Sequence, residues 1–280
     1  MKYYDVHIHF FYHCSLGELK EKIGLLEKTG LAGMNILVIC EFPTELNTYL
    51  KMIPGAYHPY VTQEALENQK DPFAVMNVSQ RLRMIPFLDA RFMENNIEEK
   101  IKMYRQKGFE GLKLLYVPEE DRTLNIGGME KTFGRTLKQS EKITSLIVEN
   151  ASSRGMPVLI HVDLRKYGNF IAEMIGNFSR INFNIPHFGF SRRAISSLLD
   201  QYPNCYTDMS SLVSFMEKDP VSYRRFIQEY QDRILFGSDA VIGQPETVQS
   251  TINFLSQFLE DEIVFNKLIN KNYMNYMGFE

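Results

Sequence analysis

Along the chain, short near-continuous apolar runs alternate with longer stretches in which apolar residues recur every three or four positions. Eight short runs stand out: Tyr3 to His7, Asn35 to Cys40, Met84 to Leu88, Gly111 to Leu115, Pro157 to His161, Asn182 to Pro186, Asn204 to Asp208 and Ile234 to Phe236. Their length and lack of strict alternation predict parallel strands covered on both faces. Between them, Leu19, Ile23 and Leu26 share a helical face, as do Ile97, Ile101 and Tyr104, then Phe170, Met174 and Phe178, and finally Val248, Ile252, Leu255 and Leu259. Asp71-Pro72 and Gln244-Pro245 place proline where a first helical turn tolerates it, with Asp71 as an N-cap.

Eight strand-then-helix units predict an α/β fold, a single-domain (β/α)₈ barrel over residues 1–280. A doubly wound open sheet is the alternative, but no G-x-G-x-x-G follows the first run to support it. Two connections exceed an ordinary barrel turn. One runs from Glu41 to about Lys70 after the second strand, with Pro43, Pro54, Gly55 and Pro59. The other runs from Tyr116 to about Gln139 after the fourth, with Gly127-Gly128. Both lie on the side where barrel enzymes build their sites, so they read as binding loops or lids.

Composition adds exclusions. The 280 residues are 44% hydrophobic and 23% charged, with 31 Lys and Arg against 34 Asp and Glu for a formal charge of −3. No basic block provides a nucleic-acid footprint, and no apolar run reaches the 18 or so residues of a membrane span. Cys14, Cys40 and Cys205 are odd in number and widely spaced, which suggests neither a disulfide framework nor a thiolate metal site. With no signal-like apolar segment after the first methionine, the cytoplasm is the expected compartment.

The candidate chemistry lies at strand ends. The first run closes on Asp5-Val6-His7-Ile8-His9, and strict alternation would point Asp5, His7 and His9 the same way. Two imidazoles one pleat apart can chelate one ion, with Asp5 fixing a histidine tautomer. Only six histidines occur in the chain, so roughly 0.1 H-x-H pairs are expected by chance. His161 ends the fifth run, His187 follows the sixth, and Asp239 follows the eighth in Gly237-Ser238-Asp239. Imidazole and carboxylate without thiolate suit a divalent ion, Zn²⁺ or Mn²⁺, which lowers the pKa of a bound water toward about 7. Asp239 then reads as both ligand and proton acceptor, and His187 as acid, base or carbonyl polariser.

With Lys113 on the fourth strand, these residues resemble the amidohydrolase superfamily of metal-dependent (β/α)₈ enzymes. His187-Phe188-Gly189, Gly237-Ser238-Asp239 and the terminal Asn272 to Phe279 resemble, more narrowly, its amidohydrolase-2 branch. The resemblance implies that His7, His9, His161 and Asp239 hold the ion and that His187 takes part in catalysis. It does not choose among hydrolases of lactones and amides, carboxy-lyases and hydratases. It leaves Lys113 either as a carboxylated bridge between two ions, as an ammonium that binds a substrate carboxylate, or as a structural lysine paired with an acid.

Arg91 can clamp a substrate carboxylate or pair with Asp89, and Arg165 is a similar case. Glu41 ends the second strand as a supporting acid, while His13 and His58 read as incidental. The expected function is therefore a metal-dependent hydrolase of a small amide, ester or lactone. The alternative is a non-oxidative decarboxylase of an aromatic or unsaturated acid. The expected partner is a small molecule, anionic ones included, and the barrel class leaves room for a homo-oligomer.

Overall fold

The computed structural model describes every residue except His13, Thr44 and Glu280, so the reading of His13 lies outside the described residues. Its strands are β1 (Tyr3–His9), β2 (Leu31–Ile39), β3 (Arg83–Asp89), β4 (Gly111–Leu115), β5 (Val158–His161), β6 (Phe183–Ile185), β7 (Cys205–Asp208), β8 (Ile234–Leu235) and β9 (Ala240–Val241). All eight apolar runs become strands. All pairings are parallel, in the order β8-β7-β6-β5-β4-β3-β2-β1-β9. Because β8 and β9 are two pieces of one segment, their flanking β1 on its free side closes the ring. Val6 N–H donates to the Phe236 carbonyl at 3.1 Å, and Asp239 N–H to the His7 carbonyl at 3.0 Å. The fold is the expected (β/α)₈ barrel.

Burial on both faces explains the missing alternation. The outer faces pack under helices in one continuous apolar layer. A separate inner cluster of Val6, Leu37, Ile85, Phe87, Leu159, Tyr206 and Leu235 fills the barrel. Gly111 belongs to this inner cluster's geometry: a Cβ there would stand 2.3 Å from the Phe87 ring. The lower end is plugged by the C-terminal helix Asn272–Met277, whose Tyr273 and Tyr276 are fully buried against the inner cluster. That placement gives the terminal motif a structural role at the end opposite the C-terminal ends of the strands.

Helix Leu16–Lys28 buries Leu19, Ile23 and Leu26 and starts on a Ser15–Glu18 capping box. Asp71 caps helix Pro72–Met76 through Ala74 N–H, as its sequence implies. The third face is centred a little to one side of the expected residues. Helix Leu164–Asn177 buries Ile171, Met174 and Ile175 and leaves Phe170 and the C-cap Phe178 half-buried at the edge of the same core-facing side.

The connection after β2, expected as a binding loop or lid, is largely helical. It folds into four short helical segments, Leu46–Leu50, Gly55–Tyr60, Gln63–Asn68 and Pro72–Met76, around the fully buried Tyr49, Met52 and Ile53. Gly55 N–H donates to the Leu124 carbonyl and Gly127 N–H to that of Lys51, each at 2.8 Å, so the two long connections clasp each other. Among the described residues no helix is long and apolar enough to cross a membrane.

Candidate metal centre

The chemistry-bearing strand ends converge at the upper mouth, but not by simple alternation. Between Asp5 and Ile8 the β1–β2 register slips, three steps of β1 matching two of β2. This bulge changes the parity of the strand. The Asp5 carboxylate therefore does not orient an imidazole, contrary to the reading from alternation. Its Oδ1 accepts from the backbone N–H of His7 at 2.9 Å and of Ser238 at 3.1 Å. Asp5 ties the β1 bulge to the Gly237-Ser238-Asp239 turn, and burial pushes its pKa up to about 7.

His7 Nε2 lies 3.0 Å and His9 Nε2 3.1 Å from the same oxygen, Asp239 Oδ1. All three donors fall within 4.8 Å of one another. Asp239 adopts φ +62°, held by its N–H to His7 and by Tyr57, whose hydroxyl donates to the Asp239 carbonyl at 3.1 Å. The Tyr57 ring also packs 4.5 Å from that of His9. Ser211, at φ +56°, donates from Oγ to Asp239 Oδ2 at 2.6 Å. His187, Phe188, Gly189 and Phe190 form a left-handed run with φ between 51° and 60°. Such backbone costs roughly 1–3 kcal/mol at each non-glycine position, and here it gathers around the mouth.

The residue that orients the imidazoles is Asp208, at the end of β7. His7 Nδ1–H donates to Asp208 Oδ2 at 3.3 Å, with Ser210 Oγ 3.2 Å away. His187 Nδ1–H donates to the Ser210 carbonyl at 2.8 Å, while Asn184 and the Ser210 hydroxyl donate to Asp208. With Nδ1 of each ring donating, the neutral form of each ring presents its Nε2 lone pair. Burial drives His9 down to about 4, and burial also lowers His161 and His187, so these rings are neutral near pH 7. Burial alone would raise Asp239, but the positive charge that His7 and His187 carry when protonated, with the hydrogen bond to His9, outweighs it and holds the carboxylate well below its usual range.

A neutral His7 Nε2 and the Asp239 carboxylate oxygen are two acceptors 3.0 Å apart, an arrangement that a shared proton or a metal cation between them satisfies. The neutral imidazoles, the shared carboxylate and the oriented Nδ1 atoms therefore fit a divalent ion with nitrogen and oxygen ligands. His161 lies outside the 4.8 Å set. Its ring is 5.1 Å from that of His187, and its buried Nε2 has no hydrogen-bond partner among the described residues. Replacing Asp208 with alanine is expected to weaken metal affinity about 10- to 100-fold with the ligands intact. Competition against a chromogenic chelator measures this, and unchanged affinity would remove Asp208 from the centre.

Above these residues opens a cleft of about 650 Å³. Its apolar wall includes Leu115, Leu124, Phe190 and Tyr223, and Lys113, Arg91, Arg165 and Arg192 reach it. Arg91 is buried with a two-pronged bond to Asp89 and a third to the Met52 carbonyl, so its fork already has an internal carboxylate. Arg165 is paired the same way with Asp163. Glu41 points away from the mouth, to Lys100 at 2.8 Å and Tyr104 at 2.9 Å. His58 Nε2 bonds the Ile53 carbonyl within its own loop.

Sequence reasoning passed over Asp208 although it ends a predicted strand as Asp239 follows one; the strand-end rule itself was the available signal. Tyr57, Ser210 and Ser211 carry no such mark.

A (β/α)₈ barrel with a buried histidine and carboxylate cluster at the C-terminal ends of its strands defines the class: a barrel of the kind that builds its site at this rim, here with a cluster that could hold a metal ion. The chain belongs to the amidohydrolase family, whose amidohydrolase-2 model matches residues 4–272. No curated protein matches the chain. Solved structures share the fold at low identity. An amidohydrolase from Mycoplasma synoviae is 12% identical with a TM-score of 0.60, covering 99% of this chain and 88% of its own. A mutant organophosphorus hydrolase from Deinococcus radiodurans is 10% identical with a TM-score of 0.63, covering 99% and 92%. An uncharacterized TIM-barrel protein from Bordetella bronchiseptica is 12% identical with a TM-score of 0.57, covering 99% of both chains.

Proposed function

We propose that the protein hydrolyses a small amide, ester or lactone, with water as nucleophile. The observation that carries this reading is the convergence of His7 Nε2, His9 Nε2 and Asp239 Oδ1 within 4.8 Å beside the cleft. We assign these three atoms, with His161 Nε2 beyond them, to hold Zn²⁺, a role for which Mn²⁺ also meets the donor set. When bound, such an ion supplies the Lewis acidity that brings a water's pKa toward about 7 and polarises a carbonyl.

The chain's own groups then manage the protons. Asp239, kept ionised and steadied by Ser211, accepts the proton of the attacking water and passes it to the departing nitrogen or oxygen. His187, with Nδ1–H tied to the Ser210 carbonyl, turns a basic Nε2 to the cleft and serves as a second proton carrier. Leu124 and Phe190 shield the reacting atoms from bulk water. The three cysteines are free, which suits the cytoplasm as its compartment.

Turnover in H₂¹⁸O of a panel of lactones, esters and acyl amides tests the reaction. Incorporation of solvent oxygen into the product acid is expected. Release of CO₂ from an aromatic or unsaturated acid, with no water consumed, would replace hydrolysis by decarboxylation.

A further inference from the structure

Lys113 is the most unusual side chain in the cleft. It lies in the middle of β4, in register with Asp89 on β3 and Leu159 on β5, and is 1% exposed. Among the described residues its ammonium has neither a hydrogen-bond partner nor a carboxylate within 4.0 Å, because Asp89 is spent on Arg91. The other three cations of the cleft are paired: Arg91 with Asp89, Arg165 with Asp163 and Arg192 with Asp219. An unpartnered buried charge is costly and persists where it has a partner in use. Burial lowers its pKa to about 8, against the pull of Asp89, so it is still mostly protonated at pH 7. A divalent ion at the cluster would be balanced by Asp239 and Asp208, which leaves Lys113 as one buried positive charge facing the cleft.

We propose that Lys113 is the anchor for a carboxylate on the substrate, and that the substrate is a small monoanionic acid with an aromatic or aliphatic body. The apolar wall of Leu115, Leu124, Phe190 and Tyr223 takes the body. The ammonium takes the carboxylate as a point charge, a task for which Arg91 has no free fork. This rests on the hydrolase reading only in assigning the acid to the same cleft: the scissile bond is then an amide, ester or lactone carried by a molecule that also bears a free carboxylate.

Calorimetric binding of benzoate and of benzamide, its neutral counterpart, to the zinc-loaded protein tests the anchor without turnover. Wild type is expected to prefer benzoate by about tenfold or more, as a charge-assisted contact gives. Lys113→Met is expected to bind benzamide as before and lose the preference. Equal binding of the two probes by wild type, or a full preference kept by Lys113→Met, overturns the proposal. If Lys113→Met does not fold, wild type stripped of metal with dipicolinate decides. A preference that survives stripping supports Lys113, and one that vanishes assigns the anion to the metal. A carbamate resonance that appears in wild type with ¹³C-bicarbonate, and is absent from Lys113→Gln, would also overturn it, since a carboxylated lysine repels an acid. Hydrolysis of neutral esters with no acid preference refutes the anchor alone. A clear acid preference with no hydrolysis of any panel member refutes the reaction alone.

Discussion

Asp239→Asn is expected to lower kcat/KM about 10²- to 10⁴-fold, the range for loss of a positioned proton acceptor. The asparagine has the same shape, so packing around the mouth survives, but two functions go together. Asp239 Oδ1 no longer offers charge to the atoms facing His7 and His9, and no carboxylate remains to take the water's proton. Zinc content should fall as well, measured by elemental analysis after dialysis, while the melting temperature stays within a few degrees. A variant with near wild-type rate would remove Asp239 from the chemistry. One that lost zinc with activity unchanged would remove the ion.

The second large effect is at the opposite end of the barrel and should leave the first untouched. Tyr273→Ala is expected to cost about 3–5 kcal/mol, the range for deleting a fully buried aromatic ring. That corresponds to a melting temperature lower by roughly 10 °C for a chain of this size. Tyr273 stacks on Tyr4 with ring centroids 4.5 Å apart, and its hydroxyl donates to Asn35 Oδ1 at 2.8 Å. The ring is part of the plug under the inner cluster. Zinc affinity and kcat at low temperature should match wild type, because the ligands hang from the other ends of the same strands. Differential scanning calorimetry and chelator competition on the same sample separate the two ends. A metal affinity that fell with stability would show that the plug and the mouth are coupled.

The two variants also mark how much was legible beforehand. The barrel was readable because buried parallel strands and amphipathic helices are written locally, in apolar runs and in three-to-four spacing. Even so, one helical face is centred on Ile171, Met174 and Ile175, a little to one side of its expected residues. The metal-centre candidates were readable because barrel sites collect at strand ends, and His7, His9, His161, His187 and Asp239 all occur there. What alternation got wrong was Asp5, since one bulge reverses the parity of a strand and no composition signal announces it. The helical segments inside the long connection after β2, which read as a binding loop or lid, were not marked in the sequence because they are short and gain their stability from Tyr49, Met52 and Ile53 packing onto the barrel.

By itself, then, the sequence determined the order of strands and helices, the single barrel they close and the strand ends that carry imidazole and carboxylate. Each of these depends on residues near one another in the chain. Only the tertiary structure decided the partners. Closure of the ring brings Asp208 to His7, 201 positions away, and Asp239 to His9, 230 positions away. The pairing of β3 with β4 sets Lys113 beside Asp89, whose carboxylate the neighbouring Arg91 already holds. Charge and hydrogen-bond balance are properties of a neighbourhood, and a neighbourhood assembled from eight strands exists only once the chain has closed.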